Sequence, residues 1–290
     1  MRRIGIILVL LLAIGGAATV TWLLGGALSE PVLREIGPLP STLPGATTVS
    51  FSSASGSRIR AWFALGRPGL GSVVLAHDVR GDRRGMLGRA EFLHKAGYSV
   101  LLFDAQAHGE SPGNRITFGY LEALDAAAAV SFATARDPDS PVAFLGVSQG
   151  GAAALLGPSP LPVSALVLEA VYSTIHEAAA NRIAIRIGEP GRLLAPLLLW
   201  QLELRLGVSP ETVAPISGIR NIEAPLLLIA GERDRHATIE QSRTLFGAAP
   251  EPKELWVVPG AIHQDLHRLV PREYERRVLD FLNRTLGGAA

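Results

Sequence analysis

From residue 72 onward the chain alternates short, continuous apolar runs with longer amphipathic stretches. The runs occupy 72–76, 99–103, 142–145, 165–168, 225–230 and 254–258. Each is rich in Val, Ile and Leu at consecutive positions, the pattern of strands buried on both faces. Between them, 85–96, 121–135, 239–246 and 272–286 have helix composition. This alternation predicts a mainly parallel sheet covered on both faces by helices. Upstream, 47–51 and 58–63 alternate apolar with polar residues around Ser55-Gly56-Ser57, which predicts a hairpin of two half-exposed strands.

One interval breaks the rhythm. More than fifty residues separate the run ending near Leu168 from the one starting at Pro225, and they include the apolar stretch Ala195-Pro196-Leu197-Leu198-Leu199-Trp200. A loop of that length without structure is uncommon, so a small helical cap over about 172–220 is expected above the C-terminal edge of the sheet, where such sheets bind ligands. Residues 29–46 carry Pro31, Pro38, Pro40 and Pro44 with little periodicity and read as a linker. The main domain then runs over 47–286.

Residues 4–28 contain no charge and follow Arg2 and Arg3. An apolar stretch of 25 residues is long enough to span a hydrocarbon core of roughly 30 Å. The basic pair ahead of it predicts a single membrane anchor with the remaining chain on the extracytoplasmic side. A cleaved signal with secretion is the competing expectation, and the length of the stretch speaks for the anchor.

Composition narrows the chemistry. The 290-residue chain is 48% hydrophobic with a net charge of +1, which excludes overall disorder and any field recruiting nucleic acid. There is no cysteine, so disulfides, thiol nucleophiles and Cys-based zinc sites are excluded together. The four arginines at 80, 83, 84 and 89 read as a solvated helix face before a patch meeting an anionic head group or substrate.

The strongest motif is Gly146-Val147-Ser148-Gln149-Gly150, placed after a buried strand and before a helical run. A strand that turns at once into a helix holds the serine in a strained conformation and projects its hydroxyl, and glycines on either side let backbones pass closely. A hydroxyl needs an adjacent base, and the base an orienting acid. Among seven histidines, His263 follows the 254–258 run on a short loop, and Asp234 ends the loop after 225–230. The order Ser148, Asp234, His263 is the one such an arrangement uses. His236 is the rival base and Glu232 the weaker acid. The N–H groups of Val79 and Gln149 are the candidate oxyanion donors. His77 is read as bracing the turn before Val79, and Asp78 as a carboxylate that would oppose an oxyanion unless it points away.

Taken together, His77-Asp78-Val79-Arg80-Gly81, Asp104-Ala105-Gln106-Ala107-His108-Gly109-Glu110-Ser111, the Ser148 motif, Gly231-Glu232-Arg233-Asp234 and His263 resemble the α/β-hydrolase superfamily. They are similar to its bacterial membrane-associated serine hydrolases and serine aminopeptidase-like esterases. The resemblance implies the α/β-hydrolase fold with an eight-stranded sheet, a cofactor-free acyl-enzyme mechanism, and structural roles for Asp104 and His108-Gly109. The expected function is cleavage of a carboxylic ester or thioester through Ser148, on a small acyl substrate that an apolar cap would make lipid-like. A peptidase or amidase with the same triad, and a membrane-anchored binding protein without turnover, are the alternatives.

Overall fold

A computed structural model of the chain describes residues 2–287, with the side chains of 2–14 outside that description. Among the described residues ten strands form: β1 (Val32–Leu33), β2 (Thr47–Ser52), β3 (Arg58–Ala64), β4 (Ser72–Ala76), β5 (Ser99–Asp104), β6 (His108–Gly109), β7 (Val142–Val147), β8 (Ala165–Glu169), β9 (Leu226–Gly231) and β10 (Lys253–Val258). Eight of them build one sheet in the order β10-β9-β8-β7-β4-β5-β3-β2. From β5 to β10 all pairs are parallel, while β3 pairs antiparallel with both β5 and β2.

The helices are α1 (Arg2–Ser29), α2 (Leu87–Ala96), α3 (Glu122–Arg136), α4 (Gln149–Ala153), α5 (Ile175–Ile187), α6 (Ala195–Leu199), α7 (Leu202–Leu206), α8 (Pro215–Gly218), α9 (Ile239–Ala248), α10 (Leu266–Leu269) and α11 (Pro271–Leu286). The central strands need apolar residues at every position because helices cover both faces. Val74, Leu101, Phe144 and Leu166 pack in one core with Ala126, Ala129, Val130 and Ala133 of α3. Val73, Leu75, Leu102 and Leu145 pack in the other with Leu93 of α2 and Val278, Phe281 and Leu282 of α11. Helices α5 to α8 fill the interval between β8 and β9. Sheet, helical layers and helical cap are those expected from the sequence.

The N-terminal expectation is corrected. Among the described residues no helix is long and apolar enough to cross a membrane, so the transmembrane anchor and the extracytoplasmic placement built on it fall away. Met1 and the side chains of Arg2 and Arg3 lie outside the described residues. The part of α1 whose side chains are described carries Gly15, Gly16, Thr19, Thr21, Gly25 and Gly26, and it packs on the protein itself. Gln201 Nε2 donates to the Thr21 carbonyl at 2.6 Å, and Arg205 donates to the Trp22 carbonyl. Residues 29–46 also pack on the body: β1 pairs with β6, and Ile36 and Leu43 are buried.

Two of the arginines read as a solvated face are buried. Arg83 is paired with Asp104 and Glu110, and Arg89 with Glu169 and Asp265. Their acidic partners come from other segments of the chain, so helix periodicity alone could not reveal them. Arg84 is exposed at the surface on Asp82, and Arg80 is exposed as well.

Candidate active site

At the end of β7 the backbone turns straight into α4, and Ser148 sits at the apex with φ 50° and ψ −111°. This is a sparsely populated conformation for a side chain with a Cβ. It is held by Ser148 N–H donating to the Glu169 carbonyl at 2.8 Å, and by the Ser148 carbonyl accepting from Ala152 N–H at 2.9 Å. The flanking glycines have a steric cause. A Cβ on Gly146 would lie 2.6 Å from the Gly150 carbonyl oxygen, and one on Gly150 would lie 2.6 Å from that of His77.

Asp234 and His263 meet directly. His263 Nδ1 lies 2.7 Å from Asp234 Oδ2, while Asp234 Oδ1 accepts the N–H groups of His236 at 2.7 Å and Ala237 at 3.0 Å. A carboxylate can only accept, so His263 Nδ1 carries the hydrogen of this contact and the neutral ring keeps its lone pair on Nε2. The loops that carry the pair are laced together: Arg233 N–H donates to the Ala261 carbonyl at 2.8 Å, and Glu232 N–H to that of Val258 at 3.1 Å. Glu232, the weaker acid, accepts Gly260 N–H at 2.7 Å and braces the histidine loop.

Ser148, Gln149, Val79 and His236 share the wall of one cavity of about 780 Å³. Its other walls come from the second half of α1, from α5, and from α6 and α7. Apart from Arg80, Arg182, Arg186 and Arg205 the lining carries no charge, and among the described residues none of it is acidic. His236 lines the cavity with Ser148, and its ring centroid lies 4.9 Å from that of His263. Burial, with His263 and Arg182 nearby, lowers its pKa. Its Nδ1 is buried without a partner, so no carboxylate orients it as Asp234 orients His263.

The turn after β4 is fixed by two histidines. His77 Nε2 accepts Ala105 N–H at 3.1 Å and its Nδ1 lies 2.7 Å from the Asp78 carbonyl. His108 repeats the pattern: Nε2 accepts Arg80 N–H at 3.1 Å, and Nδ1 lies 2.8 Å from the Gln106 carbonyl. Each ring is neutral with both nitrogens occupied. Burial lowers the pKa of both, that of His108 to about 4. Neither can serve as a base. Asp104 accepts the N–H groups of Arg83 and Glu110 at 2.7 and 2.9 Å and shapes the same turn. Asp78 is exposed, its carboxylate lies over Gly81, and it is absent from the cavity wall.

This geometry has close parallels. The model of the serine aminopeptidase (S33) family matches residues 69–204, which include Ser148 but neither Asp234 nor His263. The uncharacterized protein MT2364 of Mycobacterium tuberculosis is 31% identical, with 98% of this chain and 96% of that protein covered. YqkD of Bacillus subtilis, also uncharacterized, is 23% identical over 82% of this chain and 79% of its own length. Among solved structures, the Pyrococcus furiosus esterase Pf2001 superposes with a TM-score of 0.74 at 25% identity, covering 89% of this chain and 98% of that one. An esterase of Exiguobacterium antarcticum has a TM-score of 0.61 at 16% identity, covering 82% of this chain and all of its own, a likeness of fold alone. With this sheet, this strand-to-helix turn and these relatives, the chain is a hydrolase and belongs to the α/β-hydrolase superfamily.

Proposed function

We propose that the protein is a serine hydrolase that cleaves carboxylic esters or thioesters through an acyl-enzyme on Ser148. His263, oriented by Asp234, takes the proton of the Ser148 hydroxyl through Nε2 as the oxygen attacks the acyl carbonyl. The N–H groups of Val79 and Gln149 stabilise the oxyanion. His263 then returns the proton to the departing alcohol or thiol. Water, activated by the same histidine, releases the carboxylic acid and restores the serine.

The observation that carries this reading is the strained Ser148 on the wall of an apolar cavity into which the Val79–Gln149 region also opens. The Asp234–His263 pair and the likeness to the Pyrococcus furiosus esterase support it. Asp78 lying over Gly81 and off the cavity wall supports an oxyanion beside Val79. Among the described residues the cavity wall offers no carboxylate to hold the free amine of an aminopeptidase's substrate, which supports an ester over that substrate.

The test is labelling by a fluorophosphonate probe, compared between the wild type and Ser148→Ala. Labelling of the wild type alone is expected, and equal labelling of both removes Ser148 from the nucleophile's role. Aryl esters set against aminoacyl anilides then divide esterase from peptidase.

A further inference from the structure

Helix α1 contributes Ala17, Val20, Thr21, Leu24 and Leu28 to the cavity that Ser148 opens into. It is not laid there by apolar contact alone. In an α-helix each carbonyl already accepts from the N–H four residues on, and a side chain at that position shields its second lone pair. The α1 carbonyls of Thr21 and Trp22 accept from the cap, and the residues four further on are Gly25 and Gly26. Gln201, completely buried, donates to Thr21 at 2.6 Å and to the Leu198 carbonyl at 3.0 Å. Its own oxygen accepts Arg205 Nε. The Arg205 guanidinium reaches the Trp22 carbonyl and stands 3.7 Å over the Trp22 ring. Any side chain on Gly25 would collide with Gln201.

The helix is tied at its other end to the oxyanion turn. Arg80 Nη1 donates to the Ala27 carbonyl at 3.0 Å, and Ile116 N–H to that of Ser29 at 2.8 Å. From Ala17 to Leu28 the wall runs about 16 Å at a rise of ~1.5 Å per residue. Facing it are Ile183, Leu197, Leu198, Leu202 and Leu206. A hydrocarbon chain leaving the acyl carbon at Ser148 would lie along this channel, which is far longer than an acetyl or butyryl group needs.

We infer that the second half of α1, latched by Gln201 and Arg205 through the Gly25-Gly26 gap, is the wall of a long-chain acyl pocket and sets the chain length the enzyme accepts. The inference rests on Ser148 being the acylated residue only for its orientation of the chain, so binding and turnover are tested apart. In the full-length protein, the ratio of kcat/KM for p-nitrophenyl laurate to that for the butyrate is measured in wild type, Leu24→Trp and Gly25→Leu. Leu24→Trp fills the channel and is expected to lower the ratio about ten-fold, the equivalent of roughly two methylene groups losing contact. Gly25→Leu breaks the latch and is expected to raise the laurate KM more than it lowers kcat. Calorimetric binding of dodecanoate to Ser148→Ala, weakened by adding Leu24→Trp, reads the same pocket without chemistry. An unchanged ratio in both variants, or dodecanoate binding indifferent to Leu24→Trp, overturns the pocket while leaving the serine assignment standing. Absent hydrolysis with dodecanoate binding that Leu24→Trp weakens has the reverse meaning.

Discussion

Asp234 holds His263 and its own loop with different oxygens: Oδ2 faces His263 Nδ1 at 2.7 Å, and Oδ1 accepts the N–H groups of His236 and Ala237. The two functions can therefore be separated by an amide. In Asp234→Asn the oxygen can keep both backbone donors while the NH₂ faces His263 Nδ1. The ring is then driven to the tautomer with its proton on Nε2, where it cannot accept from Ser148. Ester hydrolysis is expected to fall about 10³- to 10⁴-fold, with the melting temperature within a few degrees of wild type. A steady-state assay with a thermal melt checks both, and retained activity would remove Asp234 from the mechanism.

What could be read from the sequence was what depends on neighbours along the chain. The strands at 72–76, 142–145 and 225–230 announced themselves because burial on both faces leaves no polar position. The turn at Ser148 was legible because its glycines answer to local sterics. What stayed hidden depends on partners far away. Arg83 and Arg89 look solvated until Asp104, Glu110 and Glu169 arrive from other strands and turns. The second half of α1 looks like a membrane span until Gln201 and Arg205, about 180 residues later, reach its carbonyls. The paired glycines and the threonines at 19 and 21 were the available signal that this helix packs on something polar. The closeness of the His236 and His263 rings was likewise hidden, because the turn after Asp234 brings them together.

The backbone strain at Ser148 should be measurable as stability. With φ at 50° and ψ at −111°, a residue with a Cβ costs on the order of 1–3 kcal/mol. Ser148→Ala keeps that strain and Ser148→Gly relieves it. The glycine variant also gains unfolded-state entropy, which offsets about 1 kcal/mol of the gain. Chemical denaturation is expected to place Ser148→Gly equal to or above Ser148→Ala, reversing the usual order of the two residues. A glycine variant clearly less stable than alanine would mean that the turn is not strained.

Acid should weaken the fold through the buried histidines. Burial lowers the pKa of His108 to about 4 from an ordinary 6.5, so the unfolded chain binds the extra proton between those values. Stability from this residue is fully present above pH 6.5 and declines as pH falls towards 4, by on the order of 3 kcal/mol. Burial beside His77 is the cause, and protonation would also cost Nε2 the hydrogen it accepts from Arg80 N–H. His108→Gln, able to offer an oxygen to the same N–H, is expected to be less stable at pH 7 but to lose less between pH 7 and 5. Parallel urea titrations of the two proteins decide it, and identical acid slopes would dissociate His108 from the effect.

Glu169 joins the strand-to-helix turn at Ser148 to α2 and α11. Its carbonyl accepts Ser148 N–H, while its carboxylate, wholly buried, accepts from Arg89 at 2.8 Å to both oxygens and from the Tyr274 hydroxyl at 2.8 Å. Leu266 N–H, at the start of α10, donates to the same carboxylate at 3.3 Å. Arg89→Met keeps much of the side-chain bulk but leaves that carboxylate without its cation. The expected cost is about 3–5 kcal/mol, the range for breaking a buried pair from one side. Removing both charges in Arg89→Met/Glu169→Gln should recover part of it, because the neutral amide no longer needs a counter-charge and can still accept from Tyr274. The coupling energy from the double-mutant cycle is the measurement. A double variant as costly as the sum of the singles would show that Arg89 stabilises the fold by packing, and that the charge on Glu169 is balanced by Tyr274 and the Leu266 N–H without it.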